Sequence, residues 1–307
     1  MPTITVSLVG LLSFVFVGSP CTHAQNGVAG KSAVYGALTK KWQTVRQSPL
    51  DLEVAGDWKG LPPGSRRYVK REDLLALPQT SFTAVDDEKF ARPTLVSGVP
   101  FDELIRALGR EPGSDLLIAV ASDGYRSNFP AEYIAAHHPL LVIEINGKAP
   151  AEWPKDADHH VYMGPYTVSY DHFVSSFNVF AHAEEEQIPW GVIRLEFRDE
   201  KQVFGAIRPR GPHADDRAVL AGFSIAQQNC FRCHNAGSEG GQKSERPWLV
   251  LAAWATASPD FFIAYVRDPQ TKNPAAQMPG NPGYDDSTMR ALIAYFRTLL
   301  SAPPEPR

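Results

Sequence analysis

The sequence predicts two domains of different class, an N-terminal α+β domain with a mixed or antiparallel sheet and a C-terminal all-α domain. Short strand patterns lie between residues 50 and 198 without a repeated strand–helix alternation and without a glycine-rich phosphate loop. Helical patterns dominate from residue 217 onwards. The chain has 307 residues, which is long enough for two domains behind a leader segment.

Four segments of the N-terminal domain have the pattern of strands. They are residues 50–55, 117–122, 140–146 and 190–198, and polar and apolar residues alternate along the last of them. Asn146-Gly147 predicts a tight turn. Residues 101–108 predict a short helix that ends at Gly109.

Three segments of the C-terminal domain have helical spacing. Residues 218–226 predict a first helix, and residues 259–267 a second one with Ser258 as N-cap and Pro269 as terminator. The last helix is predicted over residues 287–300. Glycines and polar residues predict a flexible loop at 235–241.

The first 24 residues contain no Lys, Arg, Asp or Glu, and residues 4–18 are almost wholly apolar. This pattern predicts a secretory signal peptide that is cut near Ala24. An uncleaved membrane anchor and a lipid on Cys21 are the alternatives. If Cys21 leaves with the signal peptide, the mature chain keeps only Cys230 and Cys233. We therefore expect an exported, periplasmic protein.

Charge and hydropathy exclude several partners. The formal net charge is −4, which favours neither nucleic acid nor anionic lipid. After the leader, no segment is apolar enough for a membrane helix. We expect no membrane span once the signal peptide has been removed.

Residues 230–234 read Cys-Phe-Arg-Cys-His, the C-x-x-C-H pattern that attaches a c-type haem. Two thiols three residues apart on a helix lie on one face, so each can add to a vinyl group of one porphyrin. Cys230 and Cys233 are the predicted thioether anchors, and His234 is the predicted proximal ligand of the iron. A buried cysteine pair beside a surface histidine is the alternative.

Met278 is the predicted distal ligand of the iron. It lies in residues 273–283, where prolines and glycines exclude regular structure and leave a thioether free to reach the haem. The alternatives are an apolar plug at Met278, Met289 on the last helix, or His213. A His/Met pair fills both axial positions and favours electron transfer over oxygen chemistry.

The C-terminal 90 residues resemble a class I cytochrome c. In that family a glycine precedes the motif, as Gly222 does here, and lets the first and last helices cross closely. A proline follows the motif, as Pro247 does, and its carbonyl holds the proximal imidazole. A Met-Pro precedes the last helix, as Met278-Pro279 does. An aromatic residue on the last helix faces the first, for which Tyr295 or Phe296 is suited.

Residues 95–105 and 121–130, which include Asp123-Gly124-Tyr125, resemble the sulfite-oxidase-like, molybdopterin-binding oxidoreductase fold. Catalytic members of that family generally bind molybdenum through a cysteine thiolate. Here both cysteines of the mature chain belong to the haem motif, so a conventional molybdopterin centre is doubtful. The resemblance therefore implies a domain for docking or accessory binding.

Two further clusters carry weaker hypotheses. The first is a metal site built from His137-His138, residues 156–160, His172 and His182, with solvated histidines as the alternative. Because neighbouring residues on a strand face opposite sides, each adjacent pair supplies one ligand at most. The second is residues 184–186, three glutamates that predict a solvated acidic loop and a docking patch for a basic redox partner.

These observations predict a signal peptide over 1–24, an α+β domain over 25–205, a linker over 206–216 and a cytochrome c domain over 217–307. The leading functional hypothesis is a periplasmic mono-haem electron carrier that serves a dehydrogenase, a terminal oxidase or another cytochrome. The alternative is an oxidoreductase whose N-terminal domain oxidises a small substrate and reduces its own haem. A redox or ligand sensor is the third hypothesis.

Overall fold

A computed structural model describes residues 37–38, 41–85, 87–156 and 161–300 of the chain. The predicted signal peptide, Cys21 and His159-His160 lie outside these residues. Within them, no helix is both long enough and apolar enough to cross a membrane.

The first part of the described chain combines strands with four short helices, and the last part is mostly helical. The strands are β1 (Leu52–Gly56), β2 (Arg66–Val69), β3 (Thr80–Ala84), β4 (Thr94–Pro100), β5 (Leu116–Ala121), β6 (Arg126–Pro130), β7 (Leu140–Ile145), β8 (Thr167–Ser169), β9 (Asn178–Val179), β10 (His182–Ala183), β11 (Val192–Arg198), β12 (Asn235–Ala236) and β13 (Glu239–Gly240). The helices are α1 (Arg71–Leu75), α2 (Phe101–Leu108), α3 (Ala131–His137), α4 (Glu200–Gly205), α5 (Arg217–Asn229), α6 (Trp248–Ala257), α7 (Pro259–Arg267), α8 (Pro269–Lys272) and α9 (Asp286–Thr298).

The N-terminal part contains two main sheets. One has five strands in the order β2-β1-β11-β5-β6. In it β1 runs parallel to β11, and the other neighbours are antiparallel. The second sheet, β3-β4-β7-β8, is antiparallel throughout. The predicted α+β class with a mixed sheet, followed by an all-α part, is therefore confirmed.

Strand β5 separates two apolar cores. Its residues Leu117 and Ala119 pack in the core of the N-terminal part. Leu116, Ile118 and Val120 face the other way, into one cluster with residues of the C-terminal helices. All six residues of the strand are buried because each face of the sheet is covered. The helical part therefore shares a continuous core with the five-stranded sheet.

The predicted linker is part of this packing. Ile207 is fully buried, and its carbonyl accepts a 2.6 Å hydrogen bond from the Tyr295 hydroxyl on α9. Arg208 and Arg210 are exposed, as predicted. The expectation that the two parts pack together is confirmed, whereas the exact domain boundaries remain predictions.

Most predicted elements match the observed ones within a few residues. Strands β1, β5, β7 and β11 and helices α2, α5, α7 and α9 occupy the predicted segments. Gly109 ends α2 with a φ of 74°, a backbone conformation that glycine adopts at no steric cost. Ser258 is the N-cap of α7, as predicted, although its side chain makes no capping hydrogen bond.

Three predictions about the C-terminal part need correction. Helix α6 is absent from the prediction, because nearly all of its own residues are apolar and no amphipathic period marks it. The segment predicted as a flexible loop, residues 235–241, contains the β12–β13 hairpin. Pro269 follows the end of α7, as predicted, but it is also the first residue of α8, a position that suits a proline.

Candidate haem site

The Cys-Phe-Arg-Cys-His motif continues the last turn of α5. The Cys230 amide donates to the Ala226 carbonyl at 2.9 Å. The Cys230 carbonyl in turn accepts from the amides of Cys233 (3.2 Å) and His234 (3.0 Å). This helical turn places Cys233 and His234 one turn beyond Cys230, as the motif requires. Both thiols are free and half-buried.

The imidazole of His234 is oriented by a backbone carbonyl. Its Nδ1 lies 2.7 Å from the carbonyl oxygen of Arg246. A carbonyl can only accept, so Nδ1 carries the hydrogen and Nε2 keeps a free lone pair. Burial lowers the pKa of His234, so the ring is neutral at pH 7, the state that ligates a metal. The donor set of two free thiols and an oriented neutral imidazole fits a covalently attached haem.

The prediction for Pro247 is corrected in one respect. The carbonyl that accepts from His234 belongs to Arg246, one residue earlier than predicted. Pro247 is the N-cap residue of α6. A proline restricts the residue before it to an extended backbone. Pro247 can therefore orient the imidazole through Arg246 and not through its own carbonyl.

The chain after His234 folds back over the motif. The Gly241 amide donates to the Phe231 carbonyl at 2.9 Å, and the Ser244 amide donates to the Cys233 carbonyl at 3.0 Å. A Cβ atom on Gly241 would overlap the Arg232 carbonyl, so only glycine allows this approach. The β12–β13 hairpin thus fixes the route from His234 to Arg246.

Helices α5 and α9 cross beneath the motif at Gly222. A Cβ atom there would overlap the Ala291 carbonyl and would lie 2.8 Å from the Cβ of Tyr295. The predicted close crossing at this glycine is confirmed. Tyr295 is the aromatic residue of α9 that faces the first helix, with its ring centroid 5.6 Å from that of Phe223. Its hydroxyl also accepts from Trp248 Nε1 at 2.9 Å.

The three predicted distal ligands differ in their surroundings. Met278 is half-buried between α8 and α9 and packs against the same apolar cluster as Cys230. Its carbonyl accepts from Gln270 Nε2 at 3.0 Å. Met289 is fully buried in the core on α9, and His213 is exposed with its Nδ1 3.0 Å from Asp216. Met278 is therefore the best placed of the three.

The haem motif also contacts the N-terminal part through Arg232. Its guanidinium is ion-paired with Glu185 and lies 6.0 Å from the centroid of the Tyr125 ring. Its carbonyl accepts from the Arg126 amide at 2.9 Å. These contacts could not be predicted, because they join residues that are far apart in the sequence.

A second set of contacts joins the segment after the motif to Asp123-Gly124-Tyr125. The Gly124 carbonyl accepts from the Gln242 amide at 2.8 Å. Asp123 is 2.7 Å from the Lys243 ammonium group. The turn that joins β5 to β6 is therefore a contact surface for the haem-binding segment.

The prediction of a solvated acidic loop at residues 184–186 is wrong. Glu184 is buried, with Oε2 3.1 Å from His137 Nε2 and 2.6 Å from the Ser176 amide. Glu185 is committed to Arg232. Burial and the nearby Asp87 carboxylate raise the pKa of Glu186 to about 7, although the Lys89 ammonium group lowers it in part. The three residues are tertiary contacts, so they do not form an exposed docking patch.

Among the residues that the structure describes, His137, His138, His172 and His182 do not converge on one site. His137 and His138 lie at the end of helix α3 and not on a strand, the first buried and the second exposed. His172 is exposed, and His182 is buried, with Nε2 2.9 Å from Gln228 and Nδ1 2.8 Å from the Tyr284 hydroxyl. Across the described residues, no group of three or more His, Cys, Asp or Glu side chains could hold a metal ion.

Comparison with known proteins supports the reading of the C-terminal part. Residues 219–300 match the family model described as cytochrome c. This match identifies the segment as a cytochrome c domain, which indicates electron transfer and implies a covalently bound haem c. No curated protein matches the chain.

One similar solved structure is the sulfane dehydrogenase SoxCD from Paracoccus pantotrophus. It shares 16% sequence identity with a TM-score of 0.35, over 56% of this chain and 45% of that chain. The match spans less than half of that structure's length and is too distant to carry an argument. The resemblance of the N-terminal part to the sulfite-oxidase-like fold remains a prediction.

Proposed function

We propose that this protein is a periplasmic mono-haem electron-transfer protein in which the N-terminal part holds and presents the haem domain. The observation that carries the proposal is the hydrogen bond between His234 Nδ1 and the Arg246 carbonyl. It leaves Nε2 free to bind iron immediately after the two thiols that anchor a haem. A buried cysteine pair beside a surface histidine would need no such orientation.

The chain's own residues supply the attachment and both axial ligands. Cys230 and Cys233 would form the thioethers, and His234 and Met278 would bind the iron of the attached haem. When bound, haem c supplies an iron that changes its oxidation state by one electron, and a thioether ligand favours the ferrous form. With His234 and Met278 both bound, the iron would have no open position for a substrate.

The N-terminal part packs against the helices of the haem domain. Its strand β5 contributes Leu116, Ile118 and Val120 to the core of the cytochrome helices. Arg232, within the haem motif itself, is ion-paired with Glu185 of the N-terminal part. The shared core and the ion pair attach the haem-binding motif to the N-terminal part, which favours a module that docks to a redox partner over a freely tethered carrier.

The proposed cofactor suggests where the mature protein is located and which kind of protein it exchanges electrons with. Haem c is generally attached outside the cytoplasm, and residues 1–24 have the pattern of a signal peptide. We therefore place the mature protein in the periplasm. Its partner is a dehydrogenase, a terminal oxidase or another cytochrome that exchanges single electrons with the haem.

Elemental analysis of protein matured in a periplasm competent for cytochrome c assembly tests the proposal. We expect one iron per chain and no molybdenum or copper, because both described cysteines are committed to haem. The matched control is the Cys230→Ala/Cys233→Ala variant, which should lose covalent haem. Stoichiometric molybdenum would instead favour an enzyme that oxidises a substrate in its N-terminal part and reduces its own haem.

A further inference from the structure

Arg246 places a positive charge as well as a carbonyl group near His234. The carbonyl accepts from His234 Nδ1 at 2.7 Å, so residue 246 lies directly against the predicted proximal ligand. The Arg246 amide donates to the Ser244 hydroxyl at 3.2 Å, which holds the backbone at this point. The guanidinium group of the same residue has no role in haem attachment or in axial ligation.

Aromatic rings hold this guanidinium group in place. Its Cζ atom lies 5.3 Å from the centroid of the Trp254 ring and 5.7 Å from that of Tyr265. The two rings are 5.7 Å apart, and Phe261 packs against both of them. Aromatic faces attract a cation within about 6 Å, and a planar guanidinium group stacks on them readily. The side chain is therefore fixed against α6 and α7.

No carboxylate neutralises this charge. Among the residues that the structure describes, the guanidinium group of Arg246 forms no ion pair, and its neighbours are the two rings. The other arginine close to the haem site, Arg232, is ion-paired with Glu185. Burial lowers the pKa of His234 most, and the charge on Arg246 lowers it further, so this charge acts on the proximal imidazole.

A fixed cation near the iron affects the two oxidation states differently. Oxidation from the ferrous to the ferric form adds one positive charge at the metal. A nearby cation repels the ferric form more strongly, so it favours the ferrous form and raises the reduction potential. Arg246 is half-buried, so water and salt screen its charge only in part.

We propose that Arg246 raises the reduction potential of the haem, with Trp254 and Tyr265 holding its charge beside the proximal ligand. The inference rests on the proposed function, because it requires a haem that His234 ligates. Arg246 acts on the iron by its charge and does not itself carry the electron. It therefore determines which redox partners can reduce the haem, since electrons pass readily only from partners of similar or lower potential.

Spectroelectrochemical titration of the full-length, haem-loaded protein at low salt tests the charge effect. At a fixed solution potential, Arg246→Gln should lower the ferrous-to-ferric ratio at least about threefold, which is about 30 mV because tenfold corresponds to about 59 mV for one electron. Arg246→Lys keeps the charge and should retain most of the native potential. Added salt should reduce the difference between the native protein and Arg246→Gln.

Two further variants test the position of the charge. Trp254→Leu should also lower the potential, because the guanidinium group loses a ring that holds it. Arg208→Gln removes an exposed arginine before α5 and should leave the potential unchanged. The unfolding midpoint of each variant establishes that it is folded.

The sign of the shift separates the charge effect from a merely structural one. The hydrogen bond to the Arg246 carbonyl makes His234 a stronger donor, which favours the ferric form, so loosening that bond would raise the potential. The inference is overturned if Arg246→Gln leaves the potential unchanged or raises it, or if Arg246→Lys or Arg208→Gln lowers it equally. A native protein without covalent haem would instead refute the proposed function and this inference together.

Discussion

The substitution Gly222→Ala tests the helix crossing that supports the haem motif. The added methyl group would overlap the Ala291 carbonyl, a backbone atom that cannot rotate away. Helices α5 and α9 must therefore separate, and overpacking of this kind costs up to about 3 kcal/mol. The higher helix propensity of alanine returns about 1 kcal/mol. We expect a net loss of about 2 kcal/mol in the free energy of unfolding.

The assay is thermal unfolding of the haem-loaded protein, followed by far-ultraviolet circular dichroism. A loss of about 2 kcal/mol lowers the Tm by about 4–8 °C for a folded unit of roughly 150–250 residues. The control is Gly205→Ala at the end of α4, where an added Cβ atom meets no other atom within 4 Å. That variant should be neutral or slightly more stable. If both variants behave alike, the close crossing at Gly222 is refuted.

Three further predictions concern the haem and its surroundings. Met278→Ala should abolish the weak near-infrared charge-transfer band of Met-ligated ferric haem, and survival of that band would show another distal ligand. Arg232→Met and Glu185→Gln should show a coupling of about 1–2 kcal/mol in a double-mutant cycle of urea unfolding, whereas additive effects would show that the pair contributes nothing. The pKa of Glu186 rises from its ordinary 4.5 to about 7 in the folded protein, chiefly through burial. Since the folded state binds this proton more tightly, stability should fall by about 2 kcal/mol between pH 4.5 and 7. Glu186→Gln should flatten that slope, and an unchanged slope would exclude Glu186 as its cause.

The haem motif and the helix crossing could be predicted from the sequence, because each depends on a few neighbouring residues. The motif at residues 230–234 needs only one helical turn, and the crossing at Gly222 needs only the absence of a side chain. The carbonyl that orients His234 was misplaced by one residue. The exact acceptor depends on how the hairpin after the motif folds, which residue spacing does not determine.

Long-range packing could not be predicted from the sequence. Helix α6 has almost only apolar residues, even on the side where Leu249 and Ala253 are exposed, so no alternation of polar and apolar residues marks it as a helix. Residues 184–186 have the composition of a solvated loop, yet Glu184 is buried against His137 and Glu185 is paired with Arg232. In each case the decisive partner lies tens of residues away.

The central claim is that Cys230 and Cys233 carry a covalent haem that His234 ligates. Intact-mass spectrometry of protein matured in a cytochrome-c-competent periplasm, after denaturation in acid, tests it most directly. We expect the mass of the chain plus one haem, and the mass of the chain alone for the Cys230→Ala/Cys233→Ala variant. Loss of all haem from the native protein on denaturation, or haem retained by the double variant, would contradict it.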